Sequence, residues 1–183
     1  MIESISLEKL PELHYQVGQH LKHFESTSDF TVFDLTSHLV SAKEMLSGSE
    51  KIELSTYLLK AAKQSKVNAS WGAARDYAIE AIAVLGEGAW DDQLDIMTDL
   101  HYILAECLSF LAEHEHARKI YQAALSHMTD SLMRSRVRCL ELTQMTLLGQ
   151  MQEALSAGLE GLAELGVDLR GGADDVSQYT AVL

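Results

Sequence analysis

Apolar side chains recur at intervals of three and four residues along most of the chain, which is the spacing of one face of an α-helix. Leu13 and Val17 begin one such stripe behind Pro11, a residue that suits the first turn of a helix. Later stripes are bounded by glycines and by residues that can cap a helix, namely Asp91 and either Asp130 or Ser131. The pattern predicts an all-α protein with helices over about 11–24, 30–46, 50–66, 70–85, 92–112, 114–128, 131–148 and 151–165.

Three of the predicted helices carry small residues on one face, where they let a neighbouring helix approach closely. The three sets are Ala74, Ala78 and Ala81; Ala117, Tyr121 and Ala124; and Ala154, Gly158 and Gly161. Their first members lie 43 and 37 residues apart, compared with roughly 34 in a tetratricopeptide repeat. The sets resemble the small-residue positions of that repeat. They predict a right-handed superhelix, an α-α solenoid of tetratricopeptide-like hairpins whose first helices or turns are extended.

This alignment divides the chain into three parts. Residues 1–48 form an N-terminal helical segment, whose second helix is predicted to close at Ser47-Gly48-Ser49. Residues 49–169 hold three hairpins, and 170–183 hold a linker and the start of another amphipathic helix with apolar residues at Val176, Tyr179 and Leu183. Because that pattern stops after two turns, we expect the sequence to be a piece of a longer chain.

Composition narrows the class of partner. The chain has a formal net charge of -13, and no Lys or Arg occurs between Asp76 and Ala117. Phosphate binding needs clustered basic residues, so nucleic acid is not the expected partner. We interpret the acidic stretch as a solvated face rather than as a docking site for a basic partner.

No secretory or membrane-length apolar run is present, and Cys107 and Cys139 fall in apolar helical stretches. A cytoplasmic protein with buried, reduced thiols is expected, without membrane contact.

The order of several motifs resembles the helical region that follows the nucleotide-binding domain in bacterial signalling ATPases of the STAND class. The segments that carry the resemblance are Pro11-Glu12-Leu13-His14-Tyr15-Gln16-Val17-Gly18, Phe33-Asp34-Leu35, Ser70-Trp71-Gly72-Ala73-Ala74-Arg75-Asp76-Tyr77 and Leu165-Gly166-Val167-Asp168-Leu169. The resemblance implies a parent chain with an ATPase module and, in many members, a histidine kinase. The resemblance also implies that residues 1–48 are the tail of a winged-helix segment that precedes the hairpins.

No catalytic motif accompanies this resemblance. The chain has neither a Gly-x4-Gly-Lys-Ser/Thr phosphate loop nor a kinase signature, so we expect this segment not to be an enzyme. His114 and His116 lie at a turn between two glutamates, but a zinc site needs about four convergent ligands. We therefore predict no metal and no cofactor.

Trp71 and Trp90 are expected to pack at helix ends. The basic cluster Arg134, Arg136 and Arg138 is expected to face the protein's own acidic hairpin.

In a tetratricopeptide array the first helix of each hairpin lines the concave groove. This register predicts a partner-binding groove made of Lys63, Lys66, Asp99, Tyr102, Glu106 and Arg136. Mixed charges and one tyrosine suit a peptide or a neighbouring domain better than a small metabolite. The sequence thus predicts a non-catalytic regulatory scaffold that binds protein within a signalling ATPase or sensor kinase. A ligand-sensing domain that takes a small inducer in the groove is the alternative.

Overall fold

A computed structural model describes residues 9–23 and 32–167 of the chain. Within these ranges all regular structure is helical, which confirms the predicted all-α class. The helices are α1 (Leu10–Lys22), α2 (Val32–Ser41), α3 (Gly48–Val67), α4 (Trp71–Leu85), α5 (Ala89–Asp92), α6 (Leu94–Phe110), α7 (His114–His127), α8 (Ser131–Leu147) and α9 (Met151–Glu164). A 3-10 turn, Lys43–Met45, follows α2. The predicted helix over residues 176–183 lies outside the described residues.

Local capping chemistry sets most of the helix starts. Asp130 caps α8, as predicted, because its carboxylate accepts a hydrogen bond of 2.7 Å from the Met133 backbone N–H. Ser47 was expected to close α2, but it opens α3 instead. It forms a capping box with Glu50, whose carboxylate accepts from the Ser47 N–H at 2.9 Å. Asp91 is not a cap: it lies inside the short helix α5, and Gln93 precedes α6 without a side-chain cap.

The connections that follow α3, α6 and α8 share one backbone conformation. Each places a residue in the left-handed region, namely Ala69 (φ 55°), Ala112 (φ 61°) and Gly149 (φ 75°). Each of these residues donates its N–H to the carbonyl three positions earlier, at 2.9 to 3.2 Å. Each also precedes by five positions a buried alanine of the following helix, Ala74, Ala117 or Ala154. α9 ends in the same way at Gly166, so a Schellman-type turn alone does not mark a repeat. What distinguishes the three repeated turns is their constant distance to a buried alanine.

The unequal spacing of the three turns has a structural origin in α5. Eight residues, 86–93, separate α4 from α6, whereas three residues, 128–130, separate α7 from α8. α6 and α8 have equal lengths of 17 residues. The six residues by which the 43-residue spacing exceeds the 37-residue spacing therefore lie mainly in the connection that holds α5, since α6 is no longer than α8.

The chain divides into two compact units, Met1–Ala112 and Glu113–Leu183. In the first unit α3 and α4 form an antiparallel pair, α6 packs against both, and α1 and α2 pack beside α3. Leu54, Leu58 and Ala61 of α3 are buried, and the α4 stripe of Ala74, Ala78 and Ala81 has no exposed surface. The small side chains of α4 thus do what the pattern predicted, since α3 and α6 both approach that helix.

The second unit contains α7, α8 and α9, with α8 packed against both of the others. Ala117, Tyr121 and Ala124 of α7 are buried as predicted. In α9 the buried small residues are Ala154, Ala157 and Gly161, while Gly158 is only half-buried, and a Cβ at that position would lie 3.7 Å from the Leu142 side chain. The division at residues 112 and 113 falls inside the predicted array of 49–169, and the predicted domain limits stay a prediction.

Candidate functional site

Five of the six predicted groove residues lie together in the first unit, on α3 and α6. Lys63 projects from α3 towards Asp99 of α6, and its Nζ lies 2.6 Å from the Asp99 Oδ2. About half of the Lys63 side chain (53%) and 42% of the Asp99 side chain are exposed. Solvent screens such a pair, so it marks the contact between the two helices more than it stabilises it.

A second pair lies about one turn further along α3 and about two turns further along α6. The Lys66 Nζ is 2.5 Å from the Glu106 Oε2, and it also lies 5.8 Å from the centre of the Tyr102 ring. This pair is less exposed, with 28% of Lys66 and 18% of Glu106 accessible. A lysine held by both a carboxylate and an aromatic face is well ordered. The two pairs form a surface that we term the α3–α6 charged face: Lys63, Lys66, Asp99, Tyr102 and Glu106.

The sixth predicted residue, Arg136, lies on α8 in the second unit, where its Nη1 is 3.9 Å from the Met133 Sδ. The assignment of these six residues to one partner-binding groove stays a prediction.

Acidic side chains beyond the charged face divide into two groups. Glu80 pairs with Lys43 at 2.7 Å, which ties α4 to the turn after α2. By contrast, four exposed carboxylates around α5 have no ion-pair partner within residues 9–23 and 32–167; they are Glu87, Asp91, Asp92 and Asp95. Their exposure fits the predicted solvated acidic face.

Both tryptophans take part in intramolecular aromatic contacts. Trp71, at the start of α4, stacks on Phe110 at 4.0 Å between ring centres and 8° between planes. Trp90 in α5 lies 4.6 Å from the His101 ring, and the His101 Nδ1 is 2.8 Å from the Met97 carbonyl oxygen. These contacts agree with the predicted packing role of the two indoles.

The histidines and cysteines of the described segments form no chemical centre. No group of three or more His, Cys, Asp or Glu side chains in those segments has the geometry to hold a metal ion, and His116 pairs with Glu113 at 3.1 Å. Cys107 is fully buried, and burial raises the pKa of its thiol to about 11. The expectation that both thiols are buried is wrong for Cys139, which lies on the exposed face of α8.

The basic cluster on α8 has a different partner from the one expected. Arg134 and Arg138 both bind Glu164 at the end of α9, at 2.8 and 2.7 Å, rather than the acidic hairpin. Arg134 also donates to the carbonyls of Leu125 and Met128 at the end of α7. Hydrogen bonds from the two guanidinium groups lower the pKa of the Glu164 carboxyl to about 2. The cluster therefore joins the three helices of the second unit.

A polar pocket in the second unit was not predicted. It lies between the start of α7 and the end of α8, has a volume of about 30 Å³, and is lined by His114, Arg118, Glu141 and Gln144 among others. Glu141 and Gln144 follow the buried Val137 at i+4 and i+7, so they continue the inward stripe of α8. That placement of polar residues at apolar positions was the available signal, and it was overlooked.

Comparisons with protein-family models, with curated proteins and with solved structures found no match to this chain. Nor does any helix of the described ranges have both the length and the apolar character needed to cross a bilayer.

Proposed function

We propose that this chain is a non-catalytic scaffold of tetratricopeptide-like hairpins, arranged as a right-handed superhelix, that binds protein. The observation that carries the proposal is the turn repeated at Ala69, Ala112 and Gly149, each five residues before a buried alanine. A helix, a fixed turn and a helix with a small inner face form the unit from which such arrays are built. Scaffolds of this class act through surfaces on their first helices.

The packing of the first unit supports this assignment. α3 and α6 are the helices that precede the repeated turn, and they pack against each other as well as against α4. First helices that lie side by side, with a second helix behind them, are the arrangement that creates a concave binding surface in helical repeats. The α3–α6 charged face lies on these two helices and is the surface we assign to the partner.

The chemistry of the charged face favours a polypeptide partner. Its two lysines are matched by two carboxylates, and Tyr102 adds an aromatic ring with a hydroxyl group. A surface with alternating charges offers donors and acceptors over a wide area, which suits an extended peptide or a domain surface. The resemblance to STAND-class ATPases supplies the context we propose, in which the partner is another domain of the same parent chain or a protein effector in the cytoplasm.

Photo-crosslinking tests this proposal with a matched pair of positions. A benzophenone amino acid is placed at Tyr102 on the charged face, or at Ile79 on α4, which is 48% exposed. Crosslinks are formed in the cells that produce the protein and identified by mass spectrometry. We expect Tyr102 to capture one dominant protein that Ile79 does not. Identical products from the two positions would contradict the proposal.

A charge exchange gives an independent control. The double substitution Lys66→Glu with Glu106→Lys keeps an ion pair between α3 and α6 but reverses its direction. It should leave the fold intact and remove the crosslink from Tyr102, because complementary charges discriminate between partners. If the Tyr102 position still captures the same protein in this variant, the partner does not recognise the charges of the α3–α6 charged face. A large rise in melting temperature with a metabolite, without any crosslink, would favour the small-inducer alternative instead.

A further inference from the structure

Glu141 is a buried carboxyl without a donor. Its residue is only 9% exposed, on the face of α8 that is directed towards α7. No hydrogen bond or ion pair reaches it from the part of the chain that the structure describes. Its nearest basic neighbour on α8, Arg138, is bound to Glu164 and Glu160. Burial raises the pKa of the Glu141 carboxyl. Glu141 lines the pocket, and its carboxylate has acceptor positions that no described residue fills.

A second polar atom of the same pocket also lacks a partner. The Nδ1 of His114 is enclosed and has no hydrogen bond. His114 is the first residue of α7, and its backbone carbonyl accepts a hydrogen bond of 3.1 Å from the Gln144 amide. This bond holds the start of α7 against α8. An imidazole nitrogen that carries no proton is a hydrogen-bond acceptor.

The charges around the pocket determine the sign of what it binds. Besides His114, its ionisable lining groups are Glu115, Arg118, Tyr121 and Glu141. Arg118 donates to Glu115 at 3.1 Å, and its charge also lowers the pKa of Glu141, which opposes the rise caused by burial. An ionised Glu141 leaves one negative charge in excess. The open positions are therefore acceptors, and a ligand that donates hydrogen bonds and carries one positive charge completes the site.

Size and shape restrict the ligand further. A volume of about 30 Å³ accommodates one or two water-sized groups. An ammonium group fits this space, whereas a planar guanidinium or a metabolite exceeds it. Met145 and Leu148 also line the pocket, and Leu148 is 45% exposed. Apolar side chains beside a polar floor match the methylene stem and the charged tip of a lysine.

We infer that this pocket binds the ammonium tip of one lysine side chain from a protein partner, with Glu141 and the Nδ1 of His114 as the acceptors. The inference rests on the proposed protein-binding function for the owner of that lysine. The site shares no residue with the α3–α6 charged face, because all of its lining residues belong to the second unit.

The test uses the full chain labelled with 13C and 15N and four probes of graded size. The probes are methylammonium, N-acetyl-lysine methylamide, N-acetyl-arginine methylamide and N-acetyl-norleucine methylamide, each titrated at constant ionic strength. Binding is followed by the NMR signals of the Glu141 side-chain carboxyl and the His114 ring. We expect a saturable shift with the lysine probe, a weaker one with methylammonium, and none with the norleucine or arginine probes.

Two substitutions locate the effect. Glu141→Gln keeps the side-chain shape and removes the charge, and it should weaken binding of the lysine probe at least tenfold. Glu153→Gln, an exposed glutamate at the start of α9, is the matched control and should change nothing. Since a buried, unpaired charge destabilises the fold, Glu141→Gln should also fold and show a melting temperature at least as high as the wild type.

Several results would overturn the inference. Absence of a shift at saturating lysine probe would mean that the pocket holds water only. Methylammonium binding as tightly as the lysine probe would identify a site for free amines, and an equal response to norleucine would identify a purely apolar contact. None of these results involves Tyr102. Failure of the pocket is therefore distinguishable from failure of the charged face to capture a partner.

Discussion

The two units distribute their opposite charges in different ways. Between α3 and α6 each carboxylate of the charged face meets one lysine, at 2.6 and 2.5 Å. In the second unit Glu164 receives two arginines, while Glu141, on the same helix as those arginines, receives none. Each of these two sets thus holds two carboxylates and two basic side chains. Their geometry instead separates a surface whose pairs are complete from one that retains an unsatisfied acceptor.

The largest effect is expected at the carboxylate with two donors. Glu164→Ala leaves Arg134 and Arg138 without their acid, and these side chains are only 22% and 13% exposed. Removing one member of a largely buried charge cluster costs about 3 kcal/mol, discounted here to about 2 because water still reaches the site. Urea unfolding and hydrogen exchange over α8 and α9 measure the loss. Glu153→Ala is the control, and its free energy of unfolding should stay within about 0.5 kcal/mol of the wild type. Equal losses in the Glu164→Ala and Glu153→Ala variants would show that the two arginines do not make Glu164 special.

Acid should weaken the same cluster without a substitution. The pKa of Glu164 is lowered in the folded protein to about 2 from 4.5, so its contribution is present above pH 4.5 and disappears as the pH falls towards 2. We expect wild type and Glu164→Ala to converge in stability over this window, by about 1 to 2 kcal/mol. Chemical denaturation at several pH values checks this. Parallel curves would show that the carboxylate does not depend on the arginines.

A smaller effect is expected where the pairing is one-to-one. Lys66→Glu places two carboxylates together beneath Tyr102, and we expect a loss of about 1 kcal/mol. The double substitution Lys66→Glu with Glu106→Lys should recover most of it, because the pair is restored in reverse. Thermal unfolding of the single and double variants gives the coupling energy. A double variant as unstable as the single would mean that packing, not charge, holds Lys66 in place.

Glu141 should respond to pH in the opposite sense from Glu164. Its folded-state pKa is raised by burial, so the wild type loses stability as the pH rises from the unfolded-state value through the raised one. Glu141→Gln lacks this titration. The variant should equal the wild type near pH 4 and exceed it by roughly 1 kcal/mol at pH 8. A constant difference across this range would show that the carboxyl is already paired.

The smallest effect is expected at the most exposed pair. Lys63→Ala breaks the contact with Asp99, in which both side chains are about half accessible to solvent. Such pairs contribute about 0.2 to 1 kcal/mol and weaken in salt. We expect a change of a few tenths of a kcal/mol in low salt and none in 0.5 M NaCl. A larger, salt-independent loss would make this pair part of the fold rather than of the surface.

Much of the fold was accessible from the sequence because helix boundaries depend on neighbouring residues. The Asp130 carboxylate reaches the N–H three positions on, and Gly149 adopts a positive φ that ends α8. Both signals act within one turn of helix, so the chain itself contains them. Local signals are not always sufficient: Asp91 has a side chain that can cap a helix, but it lies inside α5. Ser47 shows the same limit, because a turn signal does not say which of its two helices it serves.

The candidate sites were harder to predict from the sequence, because they depend on which side chains of neighbouring helices face each other. Periodicity placed Lys63 and Asp99 on first helices, and the structure brings them together. It did not separate Cys107, which is buried, from Cys139, which is exposed. Nor did it identify Glu141 as buried, because that burial follows from the proximity of α7. Side-chain pairing across helices is a tertiary property that spacing along one helix leaves undetermined.

The α5 connection has a consequence for engineering. The distance from each repeated turn to its buried alanine is constant, whereas the stretch over residues 86–93 is five residues longer than its counterpart at 128–130. The α4–α6 connection thus holds added length, while the repeated turns keep the same geometry. A fluorescent reporter or an affinity epitope inserted between Glu87 and Gly88, both exposed, should therefore be accepted without loss of the helices on either side. The same insertion at Ala69 would displace the buried stripe of α4.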